Sequence, residues 1–333
     1  MKKRIYISAI LSTIFLWPLF FNDFSVESSR LSQMNLCFED KQIPCRWSPG
    51  TGFGYGSPLF NYLPPLPYYF GQLLYYYTGN LNFSTSVIYL VPLVISAFFI
   101  WAFLRFINTV NVSNMLYLAF CTAILLSSNN LLSAVFLTVS FIWVISYYLR
   151  VKSRKILIYS FTALISGVSL CAFYLIPLIF EGNLIHQKLF ATSMDYLPIY
   201  ASEYPKEVAR EKLQILTGTS EVYDFNQRSN NFSFKTITKR HTIIRLSQHY
   251  FPNWQIFIDG KLTEFEYKNN SLGLMTIILG EGEHQISGRF FDTPLRIISN
   301  IISAVTFILM MIVFLYQNKF IKKWVAYYKK GIG

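Results

Sequence analysis

The sequence predicts a membrane-embedded, all-α bundle of about six transmembrane helices that carries an extracytoplasmic, mainly-β domain. Hydrophobic residues make up 53% of the chain and charged residues only 14%, against about 25% charged residues in soluble proteins. Between Trp47 and Leu149 the only ionised side chain is Arg105. In residues 181–294, by contrast, short apolar runs alternate with turn sequences, as in antiparallel sheets. This composition excludes a disordered chain, a coiled coil and a small disulfide scaffold.

Six apolar segments are interpreted as spans, because about 20 apolar residues cross a bilayer. They are residues 5–21, 84–104, 115–126, 131–149, 156–178 and 295–316. The first is interpreted as an uncleaved signal anchor, since Pro18 and bulky residues stand where a small-residue cleavage site would be; a cleaved signal peptide is the alternative. The tyrosine-rich segment 64–77 begins with proline and is predicted to be an interfacial or re-entrant helix.

The charge distribution predicts that both termini are cytoplasmic, under the positive-inside rule. Six spans put 13 of the 29 basic side chains and none of the 17 acidic ones on the inner side, so the outer segments carry 16 basic and 17 acidic side chains. The excess positive charge then faces anionic lipid headgroups. The net charge of +12 therefore predicts contact with membrane lipid and argues against nucleic acid.

The spans divide the chain into three parts. Residues 1–180 form the bundle with a first outer loop at 22–82, residues 181–294 form an extracytoplasmic α/β to β-sandwich-like domain, and residues 295–333 form the last span and a basic cytoplasmic tail. Strands are predicted at 241–250, 254–258, 262–267, 272–279 and 284–291, because turn sequences such as Asp259-Gly260 separate these runs. Residues 206–216 are predicted to form an amphipathic helix.

The cysteines fall into two pairs. Cys121 and Cys171 lie inside predicted spans and are expected to be packing residues. Cys37 and Cys45 lie in the outer loop, where an oxidising exterior permits a disulfide; two free thiols are the alternative. The spacing of the four histidines matches no zinc site.

Two carboxylates and a guanidinium follow the first span. In a helix Asp23, Glu27 and Arg30 share one face, at i, i+4 and i+7. A carboxylate at the membrane surface can act as a general base on a hydroxyl or bind a divalent cation such as Mg or Mn. An arginine one turn away can hold a phosphate by paired hydrogen bonds. The alternative is a solvated helix with an ordinary ion pair.

The rest of the outer loop is rich in glycine, proline and aromatic residues. Glycine lets the backbone approach a ligand closely, and the aromatic faces suit sugar rings or the isoprenoid tail of a lipid carrier. Arg46 is a second candidate for a phosphate contact. The glycines do not match the dinucleotide pattern between a strand and a helix. A membrane-interface aromatic belt is the alternative for the tyrosines.

Several motifs of this loop and of the far end of the chain carry a resemblance to a known family. They are IPCRWSP at 43–49, GYGSPLFNY at 54–62, PLPYY at 65–69, YFPNW at 250–254, IDGK at 258–261, GEH at 282–284 and DTPL at 292–295. The chain resembles bacterial GT-C-type membrane glycosyltransferases, which are often labelled as membrane proteins with a 6-pyruvoyl-tetrahydropterin-synthase-related domain. Pterin chemistry is not expected here, because the sequence has no zinc-binding histidine cluster.

The resemblance implies a bacterial plasma-membrane enzyme that moves a sugar, with inversion, from a polyprenyl-phosphate donor to an extracytoplasmic acceptor in cell-envelope glycan synthesis. It implies catalytic roles for Asp23 and Glu27. It implies substrate contacts from Arg30, Arg46, Trp47, Gly54, Tyr55, Gly56, Phe60, Asn61, Tyr62, Tyr68 and Tyr69.

Two other functions compete with this one. Members of the family are longer and have more spans, so a shortened, non-catalytic relative that binds lipid-linked glycan or envelope partners is the alternative. A transporter is disfavoured, because transporter spans contain functional ionisable groups. Here the only such groups are Arg105 and Arg296, near span ends.

Overall fold

The computed structural model describes residues 25–186, 198–203 and 205–317. The first predicted span, Asp23 and the basic tail lie outside these residues. The described α-helices are α1 (Ser25–Glu39), α2 (Leu66–Thr78), α3 (Leu81–Asn108), α4 (Val112–Leu126), α5 (Asn130–Val151), α6 (Arg154–Leu170), α7 (Ala172–Phe180) and α8 (Pro294–Gln317).

Asparagines fix where three of these helices begin. The side chains of Asn80, Asn111 and Asn129 precede α3, α4 and α5, and each accepts a hydrogen bond from a backbone N–H of the first turn. This satisfies a donor that has no partner within the helix.

Three described helices, α3, α5 and α8, are long and apolar enough to cross a membrane. The number rises to four if α6 and α7, which meet at 78°, count as one span. This supports an integral membrane protein, but six spans are not confirmed. Helix α4 has only 15 residues, fewer than the roughly 20 that a bilayer requires. Helix α2 covers the predicted segment 64–77 from Leu66 onward.

The segment 156–178, predicted as one span, consists of two helices, α6 and α7, because the helix breaks at Cys171. The break is stabilised from α8. Ser303 accepts a hydrogen bond from the backbone N–H of Phe173 at 2.9 Å, and its hydroxyl donates to the carbonyl of Ser169 at 3.2 Å. Backbone groups released from a helix inside a bundle need such partners.

Close helix packing holds the bundle together. Phe99, Phe106, Leu118 and Leu125 belong to a buried cluster shared by α3, α4 and α6. A Cβ on Gly167 of α6 would come within 2.8 Å of the Thr122 side chain and the Ala119 carbonyl of α4. Only glycine therefore allows this approach, as is common between membrane helices.

The β-domain consists of strands β1 (Leu213–Thr217), β2 (Ser220–Gln227), β3 (Asn231–Thr238), β4 (Thr242–His249), β5 (Trp254–Ile258), β6 (Lys261–Thr263), β7 (Leu274–Leu279) and β8 (Gly282–Phe290). One sheet has the order β1-β4-β7 and the other β2-β3-β8-β5-β6. All pairs are antiparallel. Both sheets contribute to one core, which contains Phe234, Ile244, Ile256, Ile277 and Ile286. The predicted antiparallel architecture is thus present.

The helix predicted at 206–216 is wrong. Residues 206–212 are not helical, and β1 begins at Leu213. Leu213 pairs with Leu246 of β4, so the ladder supplies the backbone hydrogen bonds that a helix would have made. Strands β2 and β3 were not predicted, although the alternating burial of Phe232, Phe234, Thr236 and Thr238 follows the period of two that marks a strand.

Candidate functional site

Helix α1 brings an ion pair against a tyrosine of α2. Arg30 Nη1 donates to Glu27 Oε1 at 2.8 Å, and the Tyr68 hydroxyl donates to Glu27 Oε2. Arg30 Nη1 also lies 3.4 Å from the Tyr68 hydroxyl oxygen. The side chains of Arg30 and Glu27 are 12% and 14% exposed. The structure therefore brings together three of the predicted site residues, whereas Asp23 lies outside the described residues.

Packing behind the ion pair sets its position. Leu31 and Met34 of α1 and Ile88 of α3 belong to one buried cluster. Gly71 of α2 lies so close that a Cβ would be 2.9 Å from Ile88 and 3.2 Å from Leu31. Helices α1, α2 and α3 are thus held tightly enough to fix the distance between Tyr68 and Glu27.

The three side chains line a cavity of about 340 Å³, here called the helix cavity. Its other walls are mainly apolar. They come from Leu63, Pro64, Pro67, Ile88, Tyr89, Pro92, Leu93, Ser128, Asn129 and Leu132. The polar part of the lining can thus receive a charged or hydroxylated group, and the apolar part suits a hydrocarbon chain.

Electrostatics keep the Tyr68 hydroxyl a hydrogen-bond donor. Burial raises the pKa of Tyr68 well above its ordinary value, and the negative charge of Glu27 raises it further. The nearby Arg30 opposes this effect without reversing it. The phenol therefore remains protonated at neutral pH.

Arg46 does not line the helix cavity. It is 4% exposed. Its Nη1 donates to Asn61 Oδ1 at 3.0 Å and to the Phe173 carbonyl at 3.1 Å, and its Nη2 donates to Asn300 Oδ1 at 2.8 Å. Burial lowers the pKa of Arg46, and Asp292, 3.3 Å from its Nε, partly offsets this. These contacts favour a structural role over the predicted phosphate contact.

A second buried arginine lies nearby and was not predicted to have a role. Arg296 is 0% exposed, and its Nε donates to Glu181 Oε2 at 2.8 Å. Its guanidinium carbon lies 5.3 Å and 5.0 Å from the ring centroids of Phe251 and Phe290. Arg46, Asp292, Glu181 and Arg296 are here called the buried junction. They join the outer loop to the end of α7 and the start of α8.

Trp47 lies in the core of the β-domain. It is 0% exposed, and its ring centroid lies 5.4 Å from that of Trp254 and 5.1 Å from that of Phe290. Gly56 packs on its edge, where a Cβ would come within 2.6 Å of Trp47 Nε1. The backbone at Gly56 also has a positive φ of 80°, which favours glycine. The structure thus places Trp47 and Gly56 in packing contacts with each other and with the β-domain core.

The glycine-rich part of the outer loop, around residues 52–56, forms backbone hydrogen bonds with the β-domain. The Phe53 carbonyl accepts from Ala209 N at 2.9 Å, and the Tyr55 carbonyl accepts from His249 N at 2.8 Å. The rings of Tyr55 and His249 lie 5.3 Å apart. Tyr55 is thus placed at an internal contact, and Gly54 lies beside Ala209.

The remaining predicted contacts also support the scaffold. Phe60 packs against the Tyr68 ring at 5.4 Å. The Tyr62 hydroxyl donates to the Glu181 carbonyl at 2.8 Å, and the Tyr69 hydroxyl accepts from Cys45 N at 3.2 Å. Asn61 is the partner of Arg46 described above. Of the predicted substrate contacts, only Arg30 and Tyr68 line the helix cavity, together with the predicted catalytic residue Glu27.

The cysteines behave as one of the two alternatives predicted. Cys37 and Cys45 form a disulfide, and Cys121 and Cys171 are free and buried. Within the described ranges, no group of three or more His, Cys, Asp or Glu side chains could hold a metal ion. The prediction of an Mg or Mn ion held with Asp23 concerns a residue outside these ranges.

Comparisons with known proteins add no assignment. No family model matches the chain, and no curated protein matches it either. The resemblance to GT-C-type enzymes therefore remains a prediction.

Proposed function

We propose that the protein is an integral membrane glycosyltransferase of the GT-C-like type, which moves a sugar from a polyprenyl-phosphate donor to an extracytoplasmic acceptor in cell-envelope glycan synthesis. One observation supports this above all. The helix cavity combines the Glu27–Arg30–Tyr68 cluster with walls that are otherwise mainly apolar. That combination suits an amphiphile with an anionic head and a hydrocarbon tail.

Each described side chain has a task in this proposal. The Arg30 guanidinium faces the donor phosphate, and Glu27 orients it through Oε1 while Oε2 accepts the hydrogen bond from the Tyr68 hydroxyl. The apolar side chains of Ile88, Pro92 and Leu93 face the prenyl chain. A phosphate beside Arg30 gains charge-assisted hydrogen bonds, which strengthen as negative charge develops on it.

The proposed transfer step is a displacement at the anomeric carbon and needs no redox partner. The acceptor hydroxyl oxygen attacks the anomeric carbon, and its proton passes to the Asp23 carboxylate, which we propose as the general base. The bond between the anomeric carbon and the phosphate oxygen breaks, and its electron pair leaves with the polyprenyl phosphate. Attack from the opposite face inverts the anomeric centre. We also propose cytoplasmic termini in the bacterial plasma membrane, which puts the cavity at the outer leaflet.

The test uses the purified full-length protein in lipid nanodiscs with a panel of polyprenyl-phosphate hexoses. We expect release of polyprenyl phosphate, and a fall of about 100-fold or more in rate for Asp23→Ala and for Glu27→Gln. Glu211→Gln, at an exposed site of the β-domain, should keep the wild-type rate. A chelator followed by Mg or Mn determines whether a divalent cation takes part. No transfer by the wild type, or equal transfer by Asp23→Ala, would refute the proposal.

A non-catalytic lipid-linked-glycan binder is the second candidate. It is favoured by the packing roles of Arg46, Trp47 and Tyr62, which leave fewer residues of the outer-loop motifs to contact a substrate. Saturable binding of a polyprenyl-phosphate sugar without turnover would identify this candidate.

A further inference from the structure

A second, larger opening lies on the other side of α1. It has a volume of about 930 Å³ and is here called the loop cleft. Three parts of the chain form its walls: α1, the glycine-rich loop at 49–54, and the β-domain near Lys212 and Arg228. Its volume is at the upper end of the roughly 300–1,000 Å³ typical of small-ligand pockets. The loop cleft therefore has room for several sugar units.

The walls of the loop cleft carry balanced charge. Two acidic side chains, Glu39 and Asp40, and two basic ones, Lys212 and Arg228, line it. The Asp40 carboxylate accepts a hydrogen bond from the backbone N–H of Ser229, and Glu39 accepts one from Asn35 at 2.6 Å. The four charges cancel, so the loop cleft has no net electrostatic attraction for a polyanionic ligand. The charge balance thus favours a neutral ligand.

The remaining wall groups suit hydroxylated rings. Ser25 and Ser29 contribute hydroxyls, Gln227 contributes an amide, and Phe53 contributes an aromatic ring. Hydroxyls and amides both donate and accept hydrogen bonds, as sugar hydroxyls do. An aromatic face packs against the C–H side of a pyranose.

Helix α1 separates the loop cleft from the helix cavity. At 3.6 residues per turn, Ser25, Ser29 and Leu36 fall within an arc of about 40°, whereas Glu27 and Arg30 lie about 140–200° from Ser25. The first three line the loop cleft, and the last two line the helix cavity. Ser25 and Glu27 are only two positions apart, so the two openings approach each other at the first turn of α1.

We infer that the loop cleft binds the acceptor of the reaction, a neutral oligosaccharide. The inference rests on the proposed function, because it assigns the acceptor to the side of α1 opposite the donor. The acceptor's reactive hydroxyl would reach the donor around the first turn of α1, near Ser25 and Glu27.

The experiment measures binding directly and needs no turnover. Neutral oligosaccharides of glucose, galactose and N-acetylglucosamine, of about three to six units, are titrated onto the full-length protein in nanodiscs, with oligogalacturonate as an anionic comparison. Ser29 is exposed, so Ser29→Trp fills the cleft without disturbing a packed core. We expect saturable binding of a neutral oligosaccharide, weakened at least about tenfold by Ser29→Trp. Phe53→Ala provides a second variant that removes the ring without filling the cleft, and it should also weaken binding.

Two controls separate this inference from the proposed function. Glu264→Trp places the same ring at an exposed β-domain site outside the loop cleft and should bind as the wild type does. Glu27→Gln should also retain oligosaccharide binding, because Glu27 lines the other opening. Suppose that the wild type binds the oligosaccharide, that Ser29→Trp weakens this binding, and that no sugar transfer is detected. That result supports binding in the loop cleft and refutes the catalytic proposal.

Three results would overturn the inference about the loop cleft. The first is the absence of saturable binding by every neutral oligosaccharide. The second is binding of oligogalacturonate alone. The third is wild-type affinity in both Ser29→Trp and Phe53→Ala, even in a protein that transfers sugar.

Discussion

Two of the arginine–carboxylate arrangements in the described part of the chain lie in opposite settings. In the buried junction, Arg296 and Glu181 are 0% and 8% exposed in their side chains, and they lie between the bundle and the β-domain. At the helix cavity, Arg30 and Glu27 are 12% and 14% exposed and face an open volume. The Nε–Oε distance in the first and the Nη–Oε distance in the second are both 2.8 Å.

The difference between the two shows that residue type and pair distance do not identify a site. The guanidinium of Arg46, which belongs to the buried junction, is occupied by Asn61, Asn300 and a main-chain carbonyl. A ligand could reach it only by displacing these partners. The Arg30–Glu27 pair instead borders an open volume that a ligand can enter. Enclosure therefore separates the structural arrangement from the candidate functional one.

The largest expected effect is at the buried junction. Glu181→Gln leaves the Arg296 charge buried without a counter-charge, and we expect it to lower the free energy of unfolding by about 3–5 kcal/mol. Tryptophan fluorescence during denaturant unfolding in detergent measures this. The double variant Glu181→Gln, Arg296→Met removes both charges and should recover part of the loss. A wild-type midpoint for Glu181→Gln would break the comparison.

A pH effect of similar size is expected where the outer loop meets the β-domain. Burial lowers the pKa of His249 to about 4 in the folded protein, whereas an unfolded histidine has a pKa of about 6.5. Between these two pKa values, the unfolded chain binds a proton at His249 and the folded chain does not. Stability is therefore fully present above pH 6.5 or so and falls by up to roughly 3 kcal/mol as the pH drops to about 4. In unfolding curves across this range, His249→Gln should flatten the fall; an unchanged slope would contradict the assignment.

A smaller effect should separate two glycines. Gly56 and Gly79 both have positive φ, of 80° and 63°, so alanine at either costs about 1–2 kcal/mol of backbone strain. Only at Gly56 does the new Cβ also meet the Trp47 ring, since nothing lies within 4 Å at Gly79. We expect Gly56→Ala to lower the free energy of unfolding by about 1–3 kcal/mol more than Gly79→Ala. Equal losses would show that the loop does not depend on Trp47 packing.

The smallest stability effect is expected at the helix cavity. Glu27→Gln keeps an acceptor for the Tyr68 hydroxyl and borders open space, so it should lower the free energy of unfolding by only about 0.5–1.5 kcal/mol. The same unfolding assay measures this. A loss as large as that of Glu181→Gln would make Glu27 a structural residue and remove the contrast between the two regions.

Local sequence signals predicted part of this fold well. Strand β5 has the predicted bounds, Trp254–Ile258, because the hairpin that follows depends on Asp259 and Gly260 alone. Both have positive φ, of 52° and 76°, as a tight two-residue turn requires. The break at Cys171 was missed, because its partner Ser303 is 130 residues away from Phe173 in the chain.

The contacts of the candidate site also fall into those predictable from local spacing and those that depend on distant segments. The pairing of Glu27 with Arg30 follows from helical spacing, and the predicted face of α1 contains both. The addition of Tyr68, 41 positions from Glu27, depends on the packing of α2 against α1. Arg46 instead has a structural role, partly because it donates to Asn300, which lies 254 positions away in the chain. No pattern near Arg46 could have shown that partner.

By itself the sequence determined the partition between apolar helices and an alternating β-domain, and the spacing of charges along α1. Each of these depends on neighbouring residues and on the cost of placing charge in lipid. Only the tertiary structure decided which arginine is enclosed and which faces a cavity. Burial and hydrogen-bond partners depend on distant segments brought together by folding. A guanidinium group that is fully desolvated needs protein partners and becomes a structural contact, whereas one beside a cavity is a candidate ligand contact.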